Sequence, residues 1–169
     1  MLHGWRFCPR CGAEVEGAPD RVECQACGYV VYANPAPTAS ALVVDEQGRI
    51  LLARRAAEVE HGKWDLPGGF VDEDEHPLDA TVRELAEETG LEIEPERLFG
   101  IWMDRYGGGT DARSTLNLYW LARAVGGEPR AADDVSELRW FAKAELPPEE
   151  EIAFTNVAEV LAAWRDEHA

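Results

Sequence analysis

Basic residues are scarce in this chain: 16 Lys and Arg stand against 33 Asp and Glu, a formal net charge of −17 over 169 residues. A surface with that balance repels a phosphate backbone, so no nucleic-acid partner is expected unless metals or a local basic strip intervene. Long apolar runs are also missing. No stretch approaches the about 18 apolar residues that span a bilayer, and Met1 to Cys8 holds no apolar segment of signal-peptide type. The expectation is no membrane contact and a cytoplasmic location. Cysteine is rare, four residues in all. What is present suffices for one full core and a small appendage, with 46% hydrophobic residues.

The four cysteines fall in one pattern. Cys8-Pro9-Arg10-Cys11 is followed by twelve residues and then Cys24-Gln25-Ala26-Cys27, and each pair runs directly into a glycine, Gly12 or Gly28. Those glycines permit the tight knuckles that let two sulfurs converge on one ion. Two knuckles supply four thiolates, a tetrahedral set that suits a structural Zn²⁺ and leaves no open position for catalysis. Two disulfides are the alternative in an oxidising compartment. Residues 1–33 are too few to hold a core unaided, so the metal would supply the folding energy. Arg6, Arg10 and Arg21 are outnumbered by Glu14, Glu16, Asp20 and Glu23, which suits docking or a homodimer contact better than phosphate binding.

A second pattern lies between residues 67 and 91. Pro67-Gly68-Gly69 turns the chain, and Pro77 and Gly90 mark the start and end of a helix. Leu78, Val82 and Leu85 are spaced to form its apolar face. Glu84, Glu87 and Glu88 share a neighbouring face, where their mutual repulsion would be relieved by a hard cation with oxygen ligands. Arg83 can pair with Glu87, four residues on.

This segment resembles the Nudix box, the signature of a family that hydrolyses nucleoside diphosphates linked to another group. Gly69, Glu75, Arg83, Glu84, Leu85, Glu87, Glu88, Gly90 and Leu91 fill its positions, and the flanking Trp64 to Phe70 and Arg54-Arg55 extend the likeness over most of residues 38–169. The resemblance implies an α/β (α+β) fold, an α/β/α sandwich with a mixed sheet, in a hydrolase domain over 38–169 that follows the zinc ribbon at 1–33. It also implies a catalytic Mg²⁺ or Mn²⁺ held by Glu84, Glu87, Glu88 and the carbonyl of Gly68. Arg83 would position a glutamate and Glu75 the helix start, while water attacks a phosphorus in line with the departing phosphate. The general base is expected on a box glutamate or a later loop, with Asp134 the leading candidate among Asp133, Asp134 and Glu137.

Outside the box, strands are expected at Thr38 to Asp45, Arg49 to Arg54, Leu98 to Asp104, Ser114 to Ala124 and Glu137 to Phe141. Loops are expected at 56–63 and Gly107-Gly108-Gly109, and a turn at Gly126-Gly127-Glu128-Pro129. Val157, Val160, Leu161 and Trp164 are spaced for one buried face of a final helix, a core or subunit contact. For the substrate, Arg54 and Arg55 are candidates to meet phosphates. Tyr106, with Trp102, Tyr119 and Trp120, is a candidate to stack on a base.

A four-cysteine ribbon before such a domain resembles NADH, ADP-ribose and FAD pyrophosphatases. The Ser-Gln-Pro-Trp motif that follows the box in NADH pyrophosphatases is missing here, and Ile152-Ala153-Phe154 resembles the tail of ribbon-bearing enzymes acting on FAD or ADP-ribose. The expected substrate is a small nucleotide of that kind, ADP-ribose, FAD or an NADH-like dinucleotide. Two alternatives stay open: pyrophosphohydrolysis of an oxidised nucleoside triphosphate, and a non-catalytic ligand sensor with the ribbon as docking arm.

Overall fold

The computed structural model describes residues 2–108 and 112–167. The amino-terminal segment forms an antiparallel ribbon of β1 (Arg21–Glu23) and β2 (Val30–Tyr32), with Val22 opposite Val31. Its buried apolar side chains among the described residues are Leu2, Val22, Cys8 and Cys24, too few to form a core.

From Ala36 onward the chain builds two sheets. In order follow β3 (Ala36–Val43), β4 (Ile50–Arg55), β5 (Trp64–Asp65), β6 (Gly68–Phe70), α1 (Pro77–Thr89), β7 (Leu91–Tyr106), β8 (Arg113–Gly127), β9 (Val135–Phe141) and α2 (Thr155–Glu167). One sheet runs β6-β3-β8-β7 and the other β5-β4-β9. The first is mixed, because β3 and β8 are parallel while β3–β6 and β7–β8 are antiparallel.

The apolar runs Ala41-Leu42-Val43 and Ile50-Leu51-Leu52 do not alternate with polar residues. Strands β3 and β4 are covered on both faces, and that burial explains the pattern. Leu42, Ile50 and Leu52 join Trp64, Phe141 and the α2 residues Val157, Val160, Leu161 and Trp164 in one cluster. Ala41, Val43 and Leu51 face the other way and join Leu85 of α1 with Leu91, Ile93 and Ala122. The two helices therefore flank the strands, giving the α/β/α layering that was expected. None of the helices among the described residues is long and apolar enough to cross a membrane.

Helix α1 begins and ends as its punctuation requires. His76 accepts a hydrogen bond from the Leu78 amide, Pro77 occupies the first helical position, and Gly90 closes the helix at φ 69°. Its buried stripe differs from the expected one. Leu85 is fully buried, but Val82 is 39% exposed, and the stripe runs through Ala80, Thr81, Leu85, Glu88 and Thr89. Small side chains at 80 and 81 let the helix approach the sheet. Thr81 and Thr89 satisfy their hydroxyls on the carbonyls of Pro77 and Leu85, so polar atoms enter the interface without being orphaned.

Two loop expectations also change. Gly126 and Gly127 are not a turn but the end of β8, opposite Glu92 and Leu91. Gly127 sits at φ 83°, and a Cβ there would lie 2.2 Å from the Gly90 carbonyl, so only glycine allows this close pairing. Gly107 and Gly108 follow β7 as expected of a loop, whereas Gly109 lies outside the described residues.

The packing of α1 makes a stability contrast measurable. Leu85→Ala should cost about 2–5 kcal/mol, whereas Val82→Ala, three residues earlier on the exposed side, should stay within about 0.5 kcal/mol. Urea unfolding monitored by tryptophan fluorescence would read both, and equal costs would contradict the observed helix orientation.

Candidate functional site

One guanidinium organises the acidic cluster. Arg83 donates from Nε and Nη2 to the two oxygens of Glu75, each at 2.8 Å. Its Nη1 donates to Glu84 at 2.8 Å and to Glu87 at 3.3 Å, and Nη2 also reaches the Phe70 carbonyl at 3.3 Å. A bidentate fork of this kind fixes direction as well as charge. Hydrogen bonds from Arg83 hold the Glu75 carboxyl down at about 2, and Glu75 in turn accepts from the Asp72 amide. The expected Arg83–Glu87 pair is present, but the dominant partner is Glu75, eight residues away across the loop before α1.

Glu88 behaves differently. It is 9% exposed, and Oε2 accepts one hydrogen bond, from the Gly68 amide at 2.9 Å. Burial pushes its carboxyl up to about 8, with the nearby charges of Asp65 and Glu84 adding to the rise. Burial raises Glu84 as well. The glycines of the turn are structural necessities here. At Gly68, φ is +146° and a Cβ would lie 2.4 Å from the Ala39 carbonyl. At Gly69 a Cβ would lie 2.5 Å from the Glu84 carboxyl carbon, so the carboxylate rests directly on the bare backbone. Glu84, Glu87 and Glu88 are hard oxygen donors of the kind that Mg²⁺ and Mn²⁺ take, but among the described residues only the four cysteines converge closely enough to hold an ion as they stand.

The same turn borders a cleft open to solvent, with Gly68, Gly69 and Phe70 in its wall. Its floor is polar: Thr38 donates to Asn117 at 2.7 Å, Asn117 Nδ2 donates to the Trp102 carbonyl at 3.2 Å, and Asn156 Nδ2 bonds the Tyr119 hydroxyl at 2.7 Å. Asp104 accepts from the Asn156 amide at the start of α2. Arg55 and Asp65 form an ion pair at 2.9 Å within it, at 15% and 13% side-chain exposure. Burial pushes the Asp65 carboxyl up to about 6, against the pull of Arg55.

The expected site residues are partly brought together. Arg55, Tyr106 and Tyr119 line the cleft. Arg54 does not: it points away, paired with Glu137 at 3.3 Å and lying 4.7 Å over the Trp64 ring. Successive strand residues face opposite sides, so only one of the two arginines can reach the cleft. Trp102 packs on Phe99 and Tyr119 instead. Asp134 is exposed and outside the cleft wall, engaged through its carbonyl, which accepts from the Ala56 amide at 2.6 Å. Asp65, Asn117 and Asn156 were not foreseen. Asp65 sits two residues before Pro67, and that adjacency was its only signal. Asn156 reads in the sequence as a helix start.

In the amino-terminal segment the four cysteine sulfurs converge. They lie within 4.8 Å of one another, with Cys8–Cys27 at 3.7 Å and Cys11–Cys24 at 3.6 Å. A tetrahedral Zn²⁺ with bonds of about 2.3 Å needs sulfurs about 3.8 Å apart, and all four thiols are unpaired. Gly12 and Gly28 adopt φ 74° and 71° and donate to the carbonyls of Cys8 and Cys24, forming the two knuckles. The arrangement fits a zinc ribbon.

Comparisons with known proteins agree with this geometry. The NUDIX domain profile matches residues 34–163. Among curated proteins, the chain is 34% identical over 122 residues to an ADP-ribose pyrophosphatase of Methanocaldococcus jannaschii, covering 70% of this chain and 69% of that protein. It is 33% identical over 167 residues to a NAD-capped RNA hydrolase NudC of Actinobacillus succinogenes, covering 90% of this chain and 60% of that one. A MutT-like protein of Streptomyces ambofaciens is 32% identical over 105 residues, and the match spans 62% of each chain. Among solved structures, a NUDIX hydrolase from Nitrosomonas europaea superposes with a TM-score of 0.80 at 25% identity, covering 96% of this chain and 92% of the other. The chain thus spans less than two thirds of the length of two of these three curated relatives.

The buried carboxyls give the metal-free protein a definite pH response. Glu88 and Asp65 keep a proton in the folded state at pH values where the unfolded chain has released it. Stability therefore falls as pH rises through the window from about 4 to about 8. Glu75, held at about 2 in the folded state, opposes that slope at the acid end of the window, where the unfolded carboxyl still binds protons, and adds none above about pH 6. Thermal melts in chelator should show a falling Tm across that window. Glu88→Gln should flatten the upper half, and an unchanged slope in that variant would contradict the burial of Glu88.

Proposed function

The chain belongs to the NUDIX family, and from that premise we propose that it hydrolyses the diphosphate bond of a nucleoside diphosphate joined to a second group. The observation that carries the proposal is the shared wall. Gly68 and Gly69 line the cleft and also touch the carboxylates: the Gly68 amide donates to Glu88, and a Cβ at Gly69 would strike Glu84. A nucleotide seated in the cleft would pass its diphosphate over bare glycine backbone toward the carboxylates.

In this reading Glu84, Glu87, Glu88 and the Gly68 carbonyl hold Mg²⁺ or Mn²⁺. Such an ion supplies charge neutralisation of the phosphates and a lowered pKa for water at the site. The residues do the rest. Arg83, braced by Glu75, holds Glu84 and Glu87 directly. The Gly68 amide fixes one oxygen of Glu88 and leaves the other free. Asp134, exposed on its loop, would have to move to act as a base.

The pairing of cleft and ribbon favours ADP-ribose, FAD or a related dinucleotide. One relative is named as an ADP-ribose pyrophosphatase and another as a NAD-capped RNA hydrolase. The net charge of −17 weighs against a long RNA and in favour of a free small nucleotide. We further propose a structural Zn²⁺ on Cys8, Cys11, Cys24 and Cys27, in a ribbon that spans residues 1–33 ahead of the hydrolase domain at 38–169.

Incubation of purified protein with ADP-ribose, FAD, NADH, a NAD-capped oligonucleotide and an oxidised dGTP, with product masses, tests the reaction. Cleavage to two monophosphate-bearing products, dependent on Mg²⁺ or Mn²⁺, is expected. Pyrophosphate release from the triphosphate alone would shift the assignment to nucleotide sanitation. Glu88→Gln should lower kcat by a factor of about 10² or more while leaving far-UV circular dichroism unchanged, and near-normal turnover would reject the carboxylate assignment. For the ribbon, one zinc per chain should be released on thiol titration, and purified protein without zinc would exclude the thiolate site.

A further inference from the structure

Strand β7 leaves an apolar face uncovered. Its Leu98, Ile101 and Met103 stand opposite Trp120, Leu118 and Leu116 of β8, and cross-strand partners of this kind point to the same face of a sheet. It is the face that α1 covers farther along: Ala41 of β3, in register with Trp120, packs in the cluster that includes Leu85 of α1. The alternate β8 residues Thr115, Asn117 and Tyr119 line the cleft on the opposite face. The cover stops short of β7 here. Ile101 is 54% and Met103 58% exposed, and Leu98 is exposed with them, while Leu116, Leu118 and Trp120 are half-buried. Apolar side chains gathered in one exposed patch mark a contact surface.

The same strand is an open edge. β7 ends the sheet β6-β3-β8-β7, and among the described residues no strand pairs with its outer side. Bare edges recruit further strands, and proteins guard them with bulges, prolines and charges. The first part of β7 carries all three. Its register against β8 slips at Glu92/Ile93, Pro95/Arg97 and Leu98/Gly100, Pro95 lacks an amide donor, and Glu92, Glu94, Glu96 and Arg97 are exposed. From Gly100 to Tyr106 the register runs without a slip. No proline falls there, and the exposed positions are Ile101, Met103 and Arg105, with Arg105 tied to the Ala112 carbonyl at 2.8 Å. Protection therefore ends where the apolar face opens.

We propose that a second copy of this chain docks on this face and edge, with residues 100–106 of the two β7 strands side by side and antiparallel about a two-fold axis. Such a contact is isologous: one patch meets its own image, and the edge is closed in both copies. Charge selects this partner. The six apolar residues include no acid or base, so a charged partner finds no counterion among them, whereas a second copy brings a matching apolar surface and leaves no charge buried alone. The antiparallel arrangement also sends Glu92, Glu94 and Glu96 of the two copies to opposite ends. With the axis near Met103 and about 3.4 Å per residue, the two Glu96 residues stand about 45 Å apart, well beyond a screening length of about 10 Å. That separation matters in a chain of net charge −17. Pairing there would brace the stretch of β7 whose alternate residues, Asp104 and Tyr106, line the cleft.

Sedimentation equilibrium of the intact chain tests the contact. Run from about 1 to about 100 µM, which brackets the micromolar Kd of a small interface, it should give twice the mass of one chain at the upper end. Met103→Lys brings two like charges together at the axis, one from each copy, and should raise the dimer Kd by about tenfold or more. Ile101→Lys should act in the same direction, and Met103→Ser, which adds no charge, severalfold less. All three substitutions fall at exposed positions, so far-UV circular dichroism should match wild type. Tyr32→Lys, exposed on the ribbon, should leave the dimer intact. A single-chain mass at the highest concentration would overturn the proposal, as would a dimer that survives both lysine substitutions in β7. A dimer that only Tyr32→Lys dissociates would overturn it by moving the contact to the ribbon.

Discussion

The Arg83 guanidinium is the contact on which the acidic face of α1 depends. Three of its nitrogens bind Glu75, Glu84, Glu87 and the Phe70 carbonyl together. Without it, three helix carboxylates and Glu75 would repel one another at the edge of a chain that already carries a charge of −17. With it, the turn before α1, the strand β6 and the helix are tied to one point. Because the guanidinium is planar and delocalised, it fixes angles as well as neutralising charge, which a lysine would not do.

Burial of Glu88 is the counterpart. An ordinary amphipathic helix would turn an apolar residue to the sheet at that position, and α1 turns a carboxylate there with one amide donor. The penalty is tolerable because the residue can stay protonated.

The ribbon and the hydrolase domain solve stability by different means. The domain has two apolar clusters on the faces of β3 and β4. The ribbon has four converging sulfurs and almost no core. The convergence of those sulfurs stands where the domain has the burial of its strands.

The sequence by itself determined what depends on near neighbours: the two cysteine knuckles, the start and end of α1, the glutamate spacing, the buried face of α2 and most of the strands. The box resemblance extended that to the layering. The tertiary structure alone decided which side of each element meets what. It turned Arg55 inward and Arg54 outward, which residue type does not reveal. It buried Glu88 and exposed Val82, because the orientation of α1 is set by the sheet it covers rather than by its own apolar spacing. It left Asp134 exposed and brought Asp65, Asn117, Asn156 and Phe154 to one cleft from positions up to 91 residues apart in the chain. Contacts of that separation come from strand register and helix packing, and no local pattern encodes them.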